Sequence, residues 1–152
     1  MVDCWRAHSS AMMARFDTTT GPQDQGLKNP FQGECMTSIE RLEIGPRMSQ
    51  AVVHNGVVYL AGQVASDAQG APVKDQTRNI LERIDKLLAA AGTDKTKLLS
   101  VTIWLADMRS FEDMNSVWDK WIPAGATPAR ATVEAKLASP AYAVEIGLIA
   151  AR

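Results

Sequence analysis

Cysteine and histidine are scarce in this chain of 152 residues, and their positions exclude several kinds of site. Both cysteines, Cys4 and Cys35, lie within the first 35 residues. Residues 36–152 therefore contain neither a disulfide framework nor a cysteine nucleophile. The only histidines are His8 and His54, which argues against a zinc site built on His and Cys ligands. We expect no metal and no cofactor.

Long apolar runs and a strong net charge are also absent. No apolar run approaches the roughly 18 residues that a membrane-spanning helix needs. The net charge is -1, and residues 36–152 balance 13 Lys and Arg against 13 Asp and Glu. No basic stripe follows any segment, which argues against nucleic acid as a partner. We expect no membrane partner either. The expected partners are therefore a small molecule and further copies of the chain.

The first 35 residues differ in character from the rest of the chain. Residues 18–26 are polar, contain Gly and Pro, and show no apolar period. No basic start with a continuous apolar segment marks a secretory signal, so we expect a cytoplasmic protein. We expect residues 1–35 to be a disordered extension, or to precede a true start at Met36, with one domain over 36–152.

Periodicity in residues 39–152 alternates between that of strands and that of helices. Asn55-Gly56 is the strongest hairpin signal, because a type I′ turn needs two residues with positive φ. Ser110 followed by Asp113 resembles a capping box. The segments predict strands at 39–44, 51–54 and 57–64, a helix at 74–91, a strand at 98–106, a helix at 110–122, and strands at 130–137 and 143–151.

Right-handed crossovers place both helices on one face of the sheet. Trp118 and Trp121 are interpreted as packing residues, since they continue the helical stripe of Phe111 and Met114. The other sheet face is left uncovered and is too apolar for water, so a closed cyclic oligomer is expected. Its expected members are Tyr59, Thr102, Trp104, Thr132 and Ile149.

The last two predicted strands each carry one charged residue of interest, Arg130 and Glu145. A hairpin between these strands would place Glu145 near Arg130 or Thr132. A guanidinium matches a carboxylate bidentately, and a nearby carboxylate can serve as a general acid or base. The pattern favours binding of a small carboxylic acid beside an activated water. An ordinary salt bridge, or two solvated side chains, is the alternative interpretation.

Five motifs in this order resemble the RidA/YjgF family over essentially all of residues 39–152. The resemblance implies a chorismate-mutase-like α+β fold, with a six-stranded mixed sheet and two helices on one face. It also implies homotrimers with sites between subunits, and hydrolysis of reactive 2-imino acids to 2-keto acids and ammonia. The motifs are Gly45-Pro46-Arg47-Met48-Ser49-Gln50-Ala51, Leu60-Ala61-Gly62-Gln63-Val64, Phe111-Glu112-Asp113-Met114-Asn115, Pro128-Ala129-Arg130 and Val144-Glu145-Ile146.

The resemblance also assigns roles to residues of the site. Arg130 is implied to bind the substrate carboxylate and Glu145 to position or activate water. Asn115 is implied to lie near the pocket, while Gly62 and Thr132 are implied to present backbone to the substrate.

Two positions depart from the family pattern. The usual pocket tyrosine is replaced by Met48 or, with a shift of one residue, by Arg47, and the usual serine is Ala61. Arg130 and Glu145 are both retained, so we expect a deaminase-type hydrolase. A non-catalytic regulatory trimer that binds small carboxylates is the alternative.

Overall fold

The computed structural model describes residues 38–152, and the boundary expected at residue 36 lies outside them. Short 3₁₀ turns precede β4 and α2. The predicted order of strands and helices is confirmed, with ends shifted by a few residues. The elements are β1 (Glu40–Ile44), β2 (Ser49–His54), β3 (Val57–Val64), α1 (Val73–Ala90), β4 (Leu98–Leu105), α2 (Phe111–Trp121), β5 (Ala129–Glu134) and β6 (Val144–Ala151).

The six strands form one mixed sheet in the order β1-β2-β3-β6-β4-β5. Neighbouring strands are antiparallel except β4 and β5, which are parallel and joined through α2. The expected hairpin pairing of β5 with β6 is therefore wrong. The crossover through α2 adds β5 outside β4, and β6 then enters between β3 and β4, where both of its edges are hydrogen-bonded.

The turn between β2 and β3 has the predicted conformation. Asn55 and Gly56 have φ values of 49° and 73°, and His54 pairs directly with Val57 across the hairpin. A two-residue loop with both φ values positive matches the twist of the flanking strands. This turn sets the register of β2 against β3.

Helix α1 covers the core face of the sheet and packs against β3, β6 and α2. Its predicted apolar stripe is confirmed, and burial of each large aliphatic member contributes about 1.5–3 kcal/mol. Gly92 follows the end of the helix with a positive φ of 76°, a conformation that a side chain would strain. The buried stripe consists of Thr77, Ile80, Ile84, Leu87, Leu88 and Ala91.

The capping box predicted at the start of helix α2 does not form, so that prediction is wrong. The Ser110 hydroxyl donates to the backbone carbonyl of Asp107, and no side chain caps the helix at Ser110. The preceding 3₁₀ turn is capped by Asp107, whose carboxylate accepts from the backbone N–H of Arg109 at 2.9 Å. Hydrogen bonds from the Arg109 side chain and backbone lower the pKa of Asp107 from 3.8 to about 2. The predicted burial of Met114 and Trp118 is confirmed.

The sheet face opposite the helices is open in the single chain. Tyr59, Thr102, Trp104 and Ile149 line a shallow depression of about 290 Å³ on it, as expected. Thr132 does not belong to this face, because the parallel register pairs it with the buried Ile103. No helix of the described residues is long and apolar enough to span a membrane.

Candidate functional site

Arg130 lies near the start of edge strand β5, on the face that carries the helices. Its register partner on β4 is Val101, a core residue, and directly paired residues share a face. The guanidinium carbon lies 5.2 Å from the centre of the Trp118 ring. No carboxylate of residues 38–152 forms an ion pair with this guanidinium. The adjoining cleft of about 250 Å³ is lined by Trp118, Asp119, Thr127, Pro128 and Arg130.

Among the described residues, three buried side-chain polar atoms lack a hydrogen-bond partner; one is His54 Nδ1, and the other two lie on β5 and α2. These two are Thr132 Oγ1, two residues after Arg130 on the same strand face, and Asn115 Oδ1, one helical turn before Trp118. Both atoms are buried. A buried polar atom left unpaired costs about 1–3 kcal/mol, so each one calls for an explanation, such as a water or ligand that binds there.

Glu145 lies on the open face of the sheet, where it pairs with Trp104 of β4 and Val64 of β3. Its side chain crosses over Gly62, at an irregularity in β3 between Leu60 and Gln63. A Cβ built on Gly62 would lie 2.0 Å from Glu145 Oε1 and 3.0 Å from its Cδ. Glycine at position 62 therefore provides the space that the carboxylate occupies.

Met48 and Ala61 lie at the same end of the sheet as Gly62. Met48 precedes β2 and is 48% exposed, and its carbonyl accepts from Gly45 at 2.8 Å. Gln63 Nε2 donates to Ala61 O at 3.0 Å and to Gln50 Oε1 at 2.9 Å. These bonds tie the end of β3 to the start of β2. The two positions that depart from the family pattern thus lie at the same end of the sheet as the glutamate.

Arg130 and Glu145 do not meet within one chain. They lie two strands apart, about 10 Å across the sheet, and their partners on β4 are three residues apart, about 10 Å along it. They also lie on opposite faces, because Val101 and Trp104 of β4 point in opposite directions. The expectation that a hairpin places Glu145 beside Arg130 or Thr132 is therefore wrong, and so is a salt bridge between them in the single chain.

The candidate residues thus form two groups. We call Arg130, Thr132 and Asn115 the arginine half-site, and Glu145, Gly62, Ala61 and Met48 the glutamate half-site. The sequence interpretation missed one contact of the arginine half-site, because Trp118 was read as packing alone. Trp118 is only 4% exposed, yet one face of its ring contacts Arg130. The signal was available: Trp118 follows Asn115 by three residues and so shares its helix face.

Within residues 38–152, no three His, Cys, Asp or Glu side chains converge as metal ligands. Each half-site presents polar groups of its own. One offers a free guanidinium with amide and hydroxyl oxygens beside it. The other offers a carboxylate on an apolar sheet face, ready to accept a hydrogen bond.

Comparison with known proteins identifies the family of the chain. The family model described as Endoribonuclease L-PSP matches residues 39–152. The chain is 41% identical over 113 residues to a RutC family protein of Haemophilus ducreyi, a match that covers 74% of this chain and 96% of that one. The chain belongs to the RidA/YjgF family. The resemblance drawn from the sequence motifs is thereby confirmed.

Solved structures from the family share the fold. NMB1025 of Neisseria meningitidis, a member of the YjgF family, is 42% identical with a TM-score of 0.74, covering 77% of this chain and 97% of that one. YyfA of Yersinia pestis, from the conserved Rid family, is 33% identical with a TM-score of 0.65, covering 72% of this chain and 90% of that one. The expected α+β fold, with two helices on one face of a six-stranded mixed sheet, is confirmed.

Proposed function

We propose that this RidA/YjgF protein hydrolyses small reactive 2-imino or enamino acids to 2-keto acids and ammonia. The observation that carries the proposal is the free guanidinium of Arg130 in its cleft, without a carboxylate partner among the described residues. This guanidinium lies beside Trp118 in a cleft. Here its fork of N–H donors remains available for the carboxylate of a substrate.

The second chemical group is Glu145. Its carboxylate accepts no hydrogen bond from a side chain of the described residues, and Gly62 leaves it room on the sheet surface. A carboxylate in this state can hold a water and take its proton. Removal of that proton makes the water oxygen a better nucleophile toward an imine carbon.

A working site requires two copies of the chain, since Arg130 and Glu145 lie on opposite faces of one sheet. The open face carries Tyr59, Trp104 and Ile149, which favours burial against another copy. We propose a closed homotrimer in which one subunit supplies the arginine half-site and its neighbour supplies the glutamate half-site. This proposal goes beyond the sequence interpretation, in which a single subunit carried both charges.

The reaction proceeds in two steps within this arrangement. Arg130 clamps the substrate carboxylate, which fixes the adjacent imine carbon near the water at Glu145. The water oxygen bonds to that carbon while the C=N electron pair moves to nitrogen. Glu145 passes both water protons to the nitrogen in turn, the C–N bond breaks, and ammonia leaves as the carbonyl forms. Positioning and electrostatics provide the acceleration.

A second function is favoured by one observation at the glutamate half-site. Met48 and Ala61 carry no hydroxyl at the positions where the family commonly has tyrosine and serine. Fewer polar groups would then orient the water. The alternative is a non-catalytic regulatory trimer that holds a 2-keto acid on Arg130.

The test follows the decay of 2-iminopropanoate, generated in situ from L-alanine by an amino-acid oxidase and trapped with semicarbazide. We expect Arg130→Ala to lower kcat/KM by about 100-fold, as loss of a buried charge contact does. We expect Glu145→Gln to lower kcat by about 100-fold or more. Arg78→Ala and Glu82→Gln on α1 are the matched charge controls and should retain wild-type rates.

Equal rates for the wild type and Arg130→Ala would contradict the proposal. Pyruvate binding that Arg130→Ala abolishes, together with no acceleration of imine decay by the wild type, would instead establish the regulatory alternative.

A further inference from the structure

Arg130 stands on an exposed edge strand, yet its side chain is held at one surface. The guanidinium carbon lies 5.2 Å from the centre of the Trp118 ring, within the range of a cation–π contact. A free arginine side chain samples many rotamers, and each must be lost when it clamps a ligand. The Trp118 ring restricts these rotamers in advance. A contact with a ring does not use up the N–H donors of the guanidinium, which can still bind a carboxylate.

Trp118 is itself fixed by a second tryptophan. Its ring centre lies 5.2 Å from that of Trp121, with 52° between the two planes, a tilted geometry that aromatic pairs favour. Trp121 Nε1 donates to Asp85 Oδ2 on α1 at 3.0 Å. Lys95 Nζ lies 3.2 Å from the same carboxylate oxygen and 5.1 Å from the centre of the Trp121 ring.

These contacts form a continuous series from α1 through α2 to the edge strand. Asp85 and Lys95 hold Trp121, Trp121 packs on Trp118, and Trp118 packs on Arg130. Core packing alone would account for the buried body of Trp118. It would not require Trp121 to be anchored by a charged pair, nor the exposed Arg130 to lie on the ring.

We infer that Trp118 is a positioning residue for Arg130, and that Trp121 and Asp85 fix the orientation of Trp118. The inference rests on the proposed function, in which Arg130 binds the carboxylate of the substrate. Trp118 acts on binding of the carboxylate and leaves the proton transfers at Glu145 unchanged. Its loss should therefore raise the Kd for pyruvate and the KM for the imine, with little change in kcat.

The experiment measures pyruvate affinity by isothermal titration calorimetry on the assembled protein. Trp118→Leu should raise the Kd by about 3- to 10-fold, which is the range of a cation–π contact. Trp118→Phe keeps an aromatic face and should recover most of the affinity. Trp121→Phe, which loses the N–H donor to Asp85, should have an effect smaller than that of Trp118→Leu.

A double-mutant cycle separates positioning from packing. If Trp118 acts through Arg130, adding Trp118→Leu to Arg130→Ala should change the residual affinity no further. Val58→Ala is the matched control, because Val58 is fully buried in β3 and belongs to none of the elements in the series of contacts. It should lower the melting temperature without altering the Kd.

The ¹⁵Nε–¹Hε resonance of Arg130 gives a readout independent of ligand, since the ring current of Trp118 should shift it upfield.

Three outcomes are decisive. Loss of affinity in Trp118→Leu, rescue in Trp118→Phe and no further loss in the Arg130→Ala background would support the inference. If Trp118→Leu lowered pyruvate affinity equally in the wild type and in Arg130→Ala, or left the Kd unchanged, the inference would be overturned and the proposed function would stand. Absence of both pyruvate binding and imine turnover in the wild type would overturn the proposed function and this inference together.

Discussion

Gly62 and Glu145 share one space on the open face of the sheet. A Cβ on residue 62 would lie 2.0 Å from Glu145 Oε1, a distance at which one of the two side chains must move. Because Gly62 of β3 has no side chain, the carboxylate of Glu145 on the neighbouring strand β6 can occupy that space. This relationship ties Gly62 to the chemistry of Glu145 and predicts the effect of its replacement.

Gly62→Ala should displace the Glu145 carboxylate while leaving the fold intact. A displacement of about 1 Å in a positioned group can reduce the rate by about 100-fold, so we expect a loss of that size in kcat with a near-normal Kd for pyruvate. Steady-state imine turnover with calorimetry measures both quantities. Gly70→Ala is the control for backbone strain, since a Cβ there meets nothing within 4 Å but the residue has a φ of 74°. It should lower the melting temperature and leave kcat unchanged. A kcat unchanged by Gly62→Ala would contradict a role for Glu145 in that position.

Hybrid oligomers should reveal that the two half-sites belong to different subunits. Arg130→Ala and Glu145→Gln are each expected to be inactive alone. When equal amounts are unfolded and refolded together, about one quarter of the interfaces in a closed ring should combine a native Arg130 with a native Glu145. Imine turnover should then recover to about that fraction of the wild-type value. Mixtures that stay inactive, although mass spectrometry shows mixed oligomers, would place both residues in one subunit's site.

The open face should govern self-association. Tyr59→Glu places a charge on an apolar surface, where its burial against a second copy is unfavourable. We expect light scattering with size-exclusion chromatography to show dissociation to the monomer and parallel loss of activity. Ile44→Glu is the control, since Ile44 is an apolar residue with 72% exposure that lies outside the open-face depression. An unaltered mass for Tyr59→Glu would mean that association uses another surface.

Gln76 should hold the start of β6, and with it Glu145. Its buried amide donates to the carbonyls of Ala71 and Ala141 at 2.9 and 3.0 Å and accepts from the N–H of Ala143 at 2.9 Å. Gln76→Leu leaves Ala71 O and Ala143 N–H unpaired, while Ala141 O keeps its bond from Gly70 N–H. We therefore expect the free energy of unfolding to fall by about 2–4 kcal/mol. Urea denaturation monitored by circular dichroism measures this. Gln69→Leu, a change at an exposed glutamine, is the control.

Acid stability should depend on Asp107. The hydrogen bonds from Arg109 lower the pKa of its carboxyl from 3.8 to about 2 in the folded protein. A carboxyl with a lowered folded pKa stabilises the fold above its unfolded pKa, and this contribution disappears as the pH falls toward 2. NMR titration should show the low pKa directly. The wild type and Asp107→Asn should therefore converge in melting temperature between about pH 4 and pH 2. A difference in melting temperature between the two proteins that stays constant over this pH range would contradict the prediction.

Local patterns in the sequence determined much of the fold. The Asn55-Gly56 turn, the buried stripe of α1 and the order of strands and helices follow from dihedral preferences and from the burial of one apolar face. These causes act between residues close in the chain, so the sequence shows them directly. The initiation of α2 was mispredicted because Asp107 and Ser110 both offer oxygens to nearby backbone. Three-dimensional geometry decides which oxygen caps the turn.

The placement of Arg130 relative to Glu145 was decided only by the tertiary structure. Both residues stand out in the sequence, and strand alternation shows their local faces. Whether two such strands pair, and which residues then share a face, depends on the crossover through α2 and on β6 entering between β3 and β4. Those are contacts between distant segments, driven by burial of the common core. The sequence by itself identified the two charges, and the topology separated them into half-sites on opposite faces of one sheet.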